Sequence, residues 1–255
     1  MHEVNISIFS LILMSIIPII AIGINYKENL HLTKDIIISL IRAIIQLTIL
    51  GIILKIIFNI NNRIVTLISV LILLINATLN TRKRANFKRS WIISFISILL
   101  SYTILLGGLI IFRAIKFIPS QVIPISGMII SNSMVSLNLC YKHLSEKFKN
   151  IDQEIIEKLS LGATEKQATK SLLIQTISLA IQPTIDSIKV LGIVSIPGMM
   201  SGLILAGLNP INAIKYQILI SFLLISTAIF TDSIGTNLSI KFYIKNKYYL
   251  GGNYK

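Results

Sequence analysis

The amino-acid sequence predicts an all-α integral membrane protein with about seven transmembrane helices, on three observations. Of its 255 residues 54% are hydrophobic and 13% charged, and the mean hydropathy is +0.80, too apolar for an ordinary water-soluble domain. The apolar residues gather into charge-poor runs, several of them longer than the about 18 residues that let a helix cross a bilayer. The formal net charge of +14 gathers in the segments between those runs. The whole chain, 1–255, reads as a single transmembrane domain. Its one cysteine, Cys140, excludes an intrachain disulfide framework and a zinc site built mainly from cysteines, and reads as a small apolar packing residue.

Residues 4–26 carry no charge and lack the lysines of a secretory leader, which predicts a retained first span. The second, 36–58, holds Arg42, Gln46 and Lys55 in a run that is otherwise mostly isoleucine and leucine. The third, 64–80, runs into the densest basic stretch of the chain, Arg82, Lys83, Arg84, Lys88 and Arg89, which belongs in the cytoplasm. Trp91 opens the fourth span, to about Phe112, where an indole beside Lys88 and Arg89 suits the headgroup layer. The fifth, 117–141, is uncharged. A sixth is expected over 171–194, bent at Pro183, and a seventh over 211–231. Residues 195–202 contain Pro197-Gly198 and cannot be regular helix throughout, which predicts a broken or re-entrant piece. In an alternative arrangement 171–189 lies flat on the cytoplasmic interface and 190–208 crosses instead, with the same number of spans.

With the amino terminus outside, the cytoplasmic segments collect Lys27 and Lys34, the five basic residues from Arg82 to Arg89, six lysines over 142–170, and Lys241, Lys245, Lys247 and Lys255. The opposite side collects only Lys55, Arg63, Arg113, Lys116 and Lys215. This asymmetry favours an N-out, C-in orientation. It also accounts for the positive charge through anionic lipid, without a nucleic-acid partner.

No hydrolytic or redox constellation is visible, and His2, His31 and His143 share no metal-ligand spacing, so no enzyme is expected. The stretch from Gly162 to Ser171 ends in the Lys-Ser of a phosphate loop, but Thr169 stands where the second glycine belongs and no strand precedes it. ATP is therefore not expected to bind here. Segment 142–170 is the one sizeable soluble stretch. Within it, 154–161 reads as an amphipathic helix stopped by Gly162, after which Thr164 can cap a second helix from Glu165. Glu154, Glu157, Leu161, Gly162, Ala163 and Thr164 thus form a helix-turn-helix knob. It resembles the coupling loop of ABC-transporter permeases, in which a Leu-Gly-Ala turn docks into a cleft of the ATPase. It departs from the usual pattern in having Ile156, with Glu157 one place later, where that pattern has glutamate six residues before the glycine.

A wider resemblance covers nearly the whole chain. Arg42-Ala43-Ile44-Ile45-Gln46-Leu47 with Gly51, Gly127 through Asn132-Ser133-Met134, Leu161-Gly162-Ala163-Thr164, and Ile193 through Pro197-Gly198-Met199-Met200-Ser201-Gly202 with Pro210 and Tyr216-Gln217 look like the Fet-type iron-export ABC permeases. That family includes plant proteins linked to aluminium tolerance. The resemblance implies export of iron or another metal ion across the plasma (inner) membrane by a permease homodimer, with the solute path at the dimer interface. It implies two copies of a separate ATPase subunit, which would hold the ATP and magnesium, leaving this chain without a cofactor. Ser131 stands where the family has glycine, which is expected to loosen helix packing slightly.

Arg42 and Gln46 share a helical face, and an intramembrane arginine faces protein or water unless it snorkels to the headgroups. Asp186 and Lys189, three apart, can pair, as a structural ion pair or as part of a gate. Asn132, Ser133 and Met134 either join helices or line the pathway. Met128, Met134, Met199 and Met200 offer soft thioethers that do not identify a metal, and they equally suit core packing. Pro197-Gly198 either frees backbone carbonyls at membrane depth or forms an outer loop. Tyr243, Tyr248, Tyr249 and Tyr254, interspersed with lysines, suit an interfacial anchor. Two other classes of function compete: an ion-coupled secondary carrier, for which Asp186 and Asp232 are the ionisable candidates, and a non-transporting membrane scaffold that docks through 142–170.

Overall fold

A computed structural model describes residues 7–85 and 89–244, apart from the side chains of 148–152 and 243. Lys88, Lys245, Lys247, Lys255 and the tail tyrosines Tyr248, Tyr249 and Tyr254 lie outside the described residues, as do the side chains of Lys149, Asp152 and Tyr243. Among the described residues ten helices follow one another: α1 Ile8–Met14, α2 Ile16–Lys27, α3 Thr33–Ile60, α4 Arg63–Arg82, α5 Ser90–Ile111, α6 Pro119–Ser160, α7 Glu165–Ala168, α8 Lys170–Lys189, α9 Gly198–Leu205 and α10 Pro210–Ile244. No strand occurs among the described residues.

Among the described residues six stretches are long and apolar enough to cross a membrane: Ile8–Lys27, Thr33–Ile60, Arg63–Arg82, Ser90–Ile111, Pro119–Lys147 and Pro210–Phe242. They coincide with the first five expected spans and the last. The expected sixth, 171–194, is the exception. Its helix α8 carries Gln175, Gln182, Asp186 and Lys189 and is not among the six, and the helix runs on through Pro183. The alternative crossing over 190–208 is not membrane-length either, because it contains only the eight residues of α9.

The described residues form two compact units, 7–61 with 205–207, and 62–204 with 208–244. In the first, α2 packs on α3 and the Asn25 amide donates to Thr33 Oγ1 at 2.6 Å. Almost every other side chain of α1, α2 and α3 is exposed, and the exposed ones are overwhelmingly isoleucine and leucine. A helix apolar on all sides needs an apolar surround, which a bilayer supplies.

The second unit is a bundle in which α6 packs against α4, α5, α8 and α10, and α10 against α5 and α8. Val70, Leu74, Ile98, Ile129, Leu137, Leu172, Ile220 and Ile240 fill its core. Small hydroxylated residues lie among them: Ser90, Ser94, Ser97 and Ser101 of α5 are all fully buried, at the four-three-four spacing of one helical face. Small side chains let helix backbones approach closely where lipid offers no hydrophobic drive for association. Gly235 of α10 shows the limit, since a Cβ there would stand 2.5 Å from Leu137 Cδ1 and 3.3 Å from Ser97 Oγ. Hydroxyls also tie the helices: Ser94 to Tyr141 at 2.9 Å and Tyr102 to Ser126 at 3.0 Å join α5 to α6. At the end of the bundle where α5 begins, the Arg89 guanidinium lies 5.7 Å from the centre of the Phe242 ring.

Candidate functional site

Three groups of residues carry the expected functional side chains: a turn after α6, a polar stripe with a buried seam along α6, and the end of α8. At the turn, α6 does not stop where the membrane segment ends. The separate helix expected over 154–161 is the last part of a continuous 42-residue helix. Its end is a Schellman motif: the Gly162 amide donates to Leu159 O and the Ala163 amide to Lys158 O, each at 3.0 Å, with Gly162 at φ +88°. Thr164 then caps α7 as expected, through a capping box with Gln167. Ile155 and Ala168 anchor the knob in the core cluster, being 1% exposed each. Leu161 stands 88% exposed at its tip, with Gly162 and Glu157 also exposed, while Glu154 pairs with Lys158.

Along α6, the consecutive residues Asn132, Ser133 and Met134 point to different sides and make no common site. Asn132 donates to Leu224 O at 2.8 Å, Ser133 is fully buried and accepts from Thr231 Oγ1 at 3.0 Å, and Met134 packs against the core. Asn132 also lines an open cavity of about 250 Å³ with Met128, Ser131, Val135 and Leu224. Val135 also lines a second cavity of about 590 Å³, with Arg84, Asn138, Leu139, Lys142, Ser145 and Glu146. The two cavities lie along one face of α6 as a groove of mixed polar and apolar lining that reaches its basic end. Ser131 opens on this groove and donates to Met128 O of its own helix at 3.3 Å.

The flank of α6 next to this groove meets α10, and Asn132 and Leu224 stand where the two adjoin. There Ser136 donates to Asp232 Oδ2, and Cys140 is a neighbour of both Asp232 and Thr236. Cys140 is buried as expected, but among polar groups. Of this seam the sequence reading singled out Ser133, and Asp232 only as a carrier's ionisable candidate. The signal was present: Asp232 is the only charged residue between Lys215 and Lys241.

Asp186 and Lys189 do pair, at 3.4 Å, and Gln182 Nε2 reaches both carboxylate oxygens of Asp186 at 2.9 and 3.1 Å. All three side chains are exposed. Lys147 of α6 donates to Gln175 of α8 at 3.2 Å, and Asp186 stands eleven residues, about 16 Å of helix, beyond that level. After α8 the chain turns tightly at Gly192, φ +77°, with Ile193 86% and Val194 80% exposed (the amides of Val194 and Ser195 both donate to Val190 O). The break therefore begins at Val190 rather than at Pro197. The carbonyl of Pro197 is not freed: Ser201 donates to it through its amide and its hydroxyl, so Gly198, Met199 and Met200 form the first turn of α9. Arg42 and Gln46 share an exposed face of α3, and no hydrogen bond or ion pair engages either among the described residues.

Residues 8–244 match the model of an uncharacterised protein family, UPF0014. The chain is 46% identical over 251 residues to the "probable iron export permease protein FetB" of Escherichia coli K12, covering 98% of this chain and 97% of that protein. It is 38% identical to the "UPF0014 membrane protein YjkA" of Bacillus subtilis, over 87% and 89% of the two chains. It is 29% identical to "Protein ALUMINUM SENSITIVE 3" of Arabidopsis thaliana, over 92% and 86%. No solved structure matches.

Proposed function

The chain belongs to the UPF0014 family, and from that membership we propose that it is the multi-pass permease subunit of an ABC exporter of iron, working with a separate ATPase. The near-complete alignment at 46% identity with a probable iron export permease carries this reading. The proposed assembly is a permease homodimer with two ATPase subunits, each taking up one knob at Leu161-Gly162-Ala163. ATP and magnesium bind the partner. ATP binding and hydrolysis then switch the permease between inward-facing and outward-facing states, and the groove along α6 with Asn132 and Met128 lines the path at the dimer interface.

The knob belongs on the cytoplasmic side with the basic segment after α4. Two membrane-length helices, α5 and α6, separate these two segments, so they share a side whatever α8 does. Arg82, Lys83, Arg84 and Arg89 on one and the lysines of 142–170 on the other favour the cytoplasm.

The test is ferrous iron movement in sealed vesicles carrying the chain with and without its ATPase. ATP-dependent movement only with both proteins is expected. Gly162→Pro, which can neither adopt φ +88° nor donate to Leu159, is expected to abolish co-purification of the ATPase and leave membrane insertion intact. Iron movement without the ATPase would overturn the ABC reading in favour of an ion-coupled carrier, and unchanged co-purification of the Gly162→Pro variant would remove the coupling role of the knob.

A further inference from the structure

A carboxylate with no counter-charge lies inside the bundle. Asp232 is 0% exposed in the membrane-length part of α10, and none of the ion pairs among the described residues includes it. One oxygen accepts from Ser136, and the other, Oδ1, has no hydrogen-bond partner. Thr236, one turn further along α10, is also 0% exposed with its hydroxyl oxygen unpartnered. Across the seam α6 presents Ser136 and Cys140, likewise one turn apart and buried. Two i, i+4 pairs thus face each other, and each pair lies on one side of its helix. Gly235, with no room for a Cβ, keeps the two helices close at this level.

Holding helices together does not account for these groups. Ser133 and Thr231, one turn away, do that with two hydroxyls and no charge. A carboxylate in a membrane interior costs several kcal/mol unless a positive charge meets it, and such residues mark ion sites and pathways. A buried hydroxyl without a partner adds a cost of about 1–3 kcal/mol. A cation that takes these lone pairs would offset both costs.

We infer that Asp232, Ser136, Cys140 and Thr236 form a binding site for a dehydrated divalent transition-metal ion between α6 and α10. The donor set is one carboxylate, two hydroxyls and one sulfur. Calcium or magnesium would ask for six or more oxygens, whereas a mixed oxygen and sulfur set suits a borderline ion. Asp232 and Cys140 are donors of kinds that hold such ions, and the hydroxyls of Ser136 and Thr236 would supply the rest of the coordination. Ser136 and Cys140 follow Asn132 at i+4 and i+8, so the site lies beside the groove, between α6 and α10. Coordination makes it a station inside the bundle, reached when α6 and α10 part. The choice of ferrous iron as first probe rests on the export reading; the site itself does not.

The experiment is equilibrium dialysis of the full chain in lipid nanodiscs, without oxygen, against ferrous iron and then against zinc and manganese. The wild type is expected to bind ferrous iron, and Asp232→Asn to bind it about tenfold or more weakly. Thr236→Val separates ligand from packing: it is expected to weaken binding while raising the thermal midpoint of the metal-free protein, because it removes an unpartnered buried hydroxyl. Should Asp232→Asn fail to fold, Thr236→Val and Cys140→Ala carry the comparison. Equal metal affinity of wild type and variants overturns the site, as does the absence of any metal binding, which would leave Asp232 a carboxyl that simply holds a proton. Zinc or manganese binding that depends on Asp232, without ferrous binding, upholds the site and overturns the iron reading.

Discussion

Glycines at two positions do opposite jobs, and the difference shows how single residues set this structure. Gly162 is needed for its backbone, because φ +88° is a conformation that L side chains rarely adopt. Gly235 is needed for its missing side chain, because Leu137 and Ser97 occupy the space a Cβ would take. Gly235→Ala should therefore cost about 1–3 kcal/mol by forcing helices apart. Gly127→Ala, on α6 with nothing within 4 Å of the added atom, should be neutral or slightly stabilising. Thermal unfolding of both variants in the same detergent checks this, and equal midpoints would show that α10 is not closely held at Gly235. Of the individual residues the sequence reading named, the Asp186–Lys189 pair was legible because i, i+3 spacing on a helix is itself geometry. The partners of Asn132 and Ser133 were not, because Leu224 and Thr231 lie more than ninety residues away in sequence.

Helix ends were read more accurately than helix continuity. The stop at Gly162 and the cap at Thr164 depend on two or three neighbouring residues and are therefore local. That α6 runs unbroken from Pro119 to Ser160 was missed, because the abrupt rise of lysine and glutamate after Tyr141 marks the passage from lipid to water, not the end of a helix. Lysine, glutamate and leucine are all good helix formers, and Glu154 with Lys158 adds an i, i+4 pair. The four-residue α7 has too few hydrogen bonds to stand alone and depends on its capping box. Thr164→Ala should cost about 1 kcal/mol. Hydrogen exchange at the amides of 165–168 should rise several-fold while that of the α6 core stays unchanged; unaltered exchange would show that packing of Ala168 holds the turn without the cap.

At the scale of the molecule, the knob and the basic segment after α4 are placed on one side of the membrane by counting helices and charges. Ser160→Cys tests that placement in a chain whose native Cys140 is fully buried. A membrane-impermeant maleimide should label it in inverted vesicles and not in intact cells, and the reverse pattern would put the knob outside and remove any contact with an ATPase. The sequence by itself determined that this is a helical, multi-pass membrane protein, because crossing lipid demands some eighteen apolar residues in a row and such runs are visible without a fold. It also determined where the soluble knob turns, since helix caps are local chemistry. Only the tertiary structure decided which hydroxyls meet, that cavities open along one face of α6, and that Asp232 of α10 is buried against Ser136 and Cys140 beside them. Those outcomes depend on contacts between distant helices, and the apolar runs that build such helices look alike in sequence whichever partners they choose.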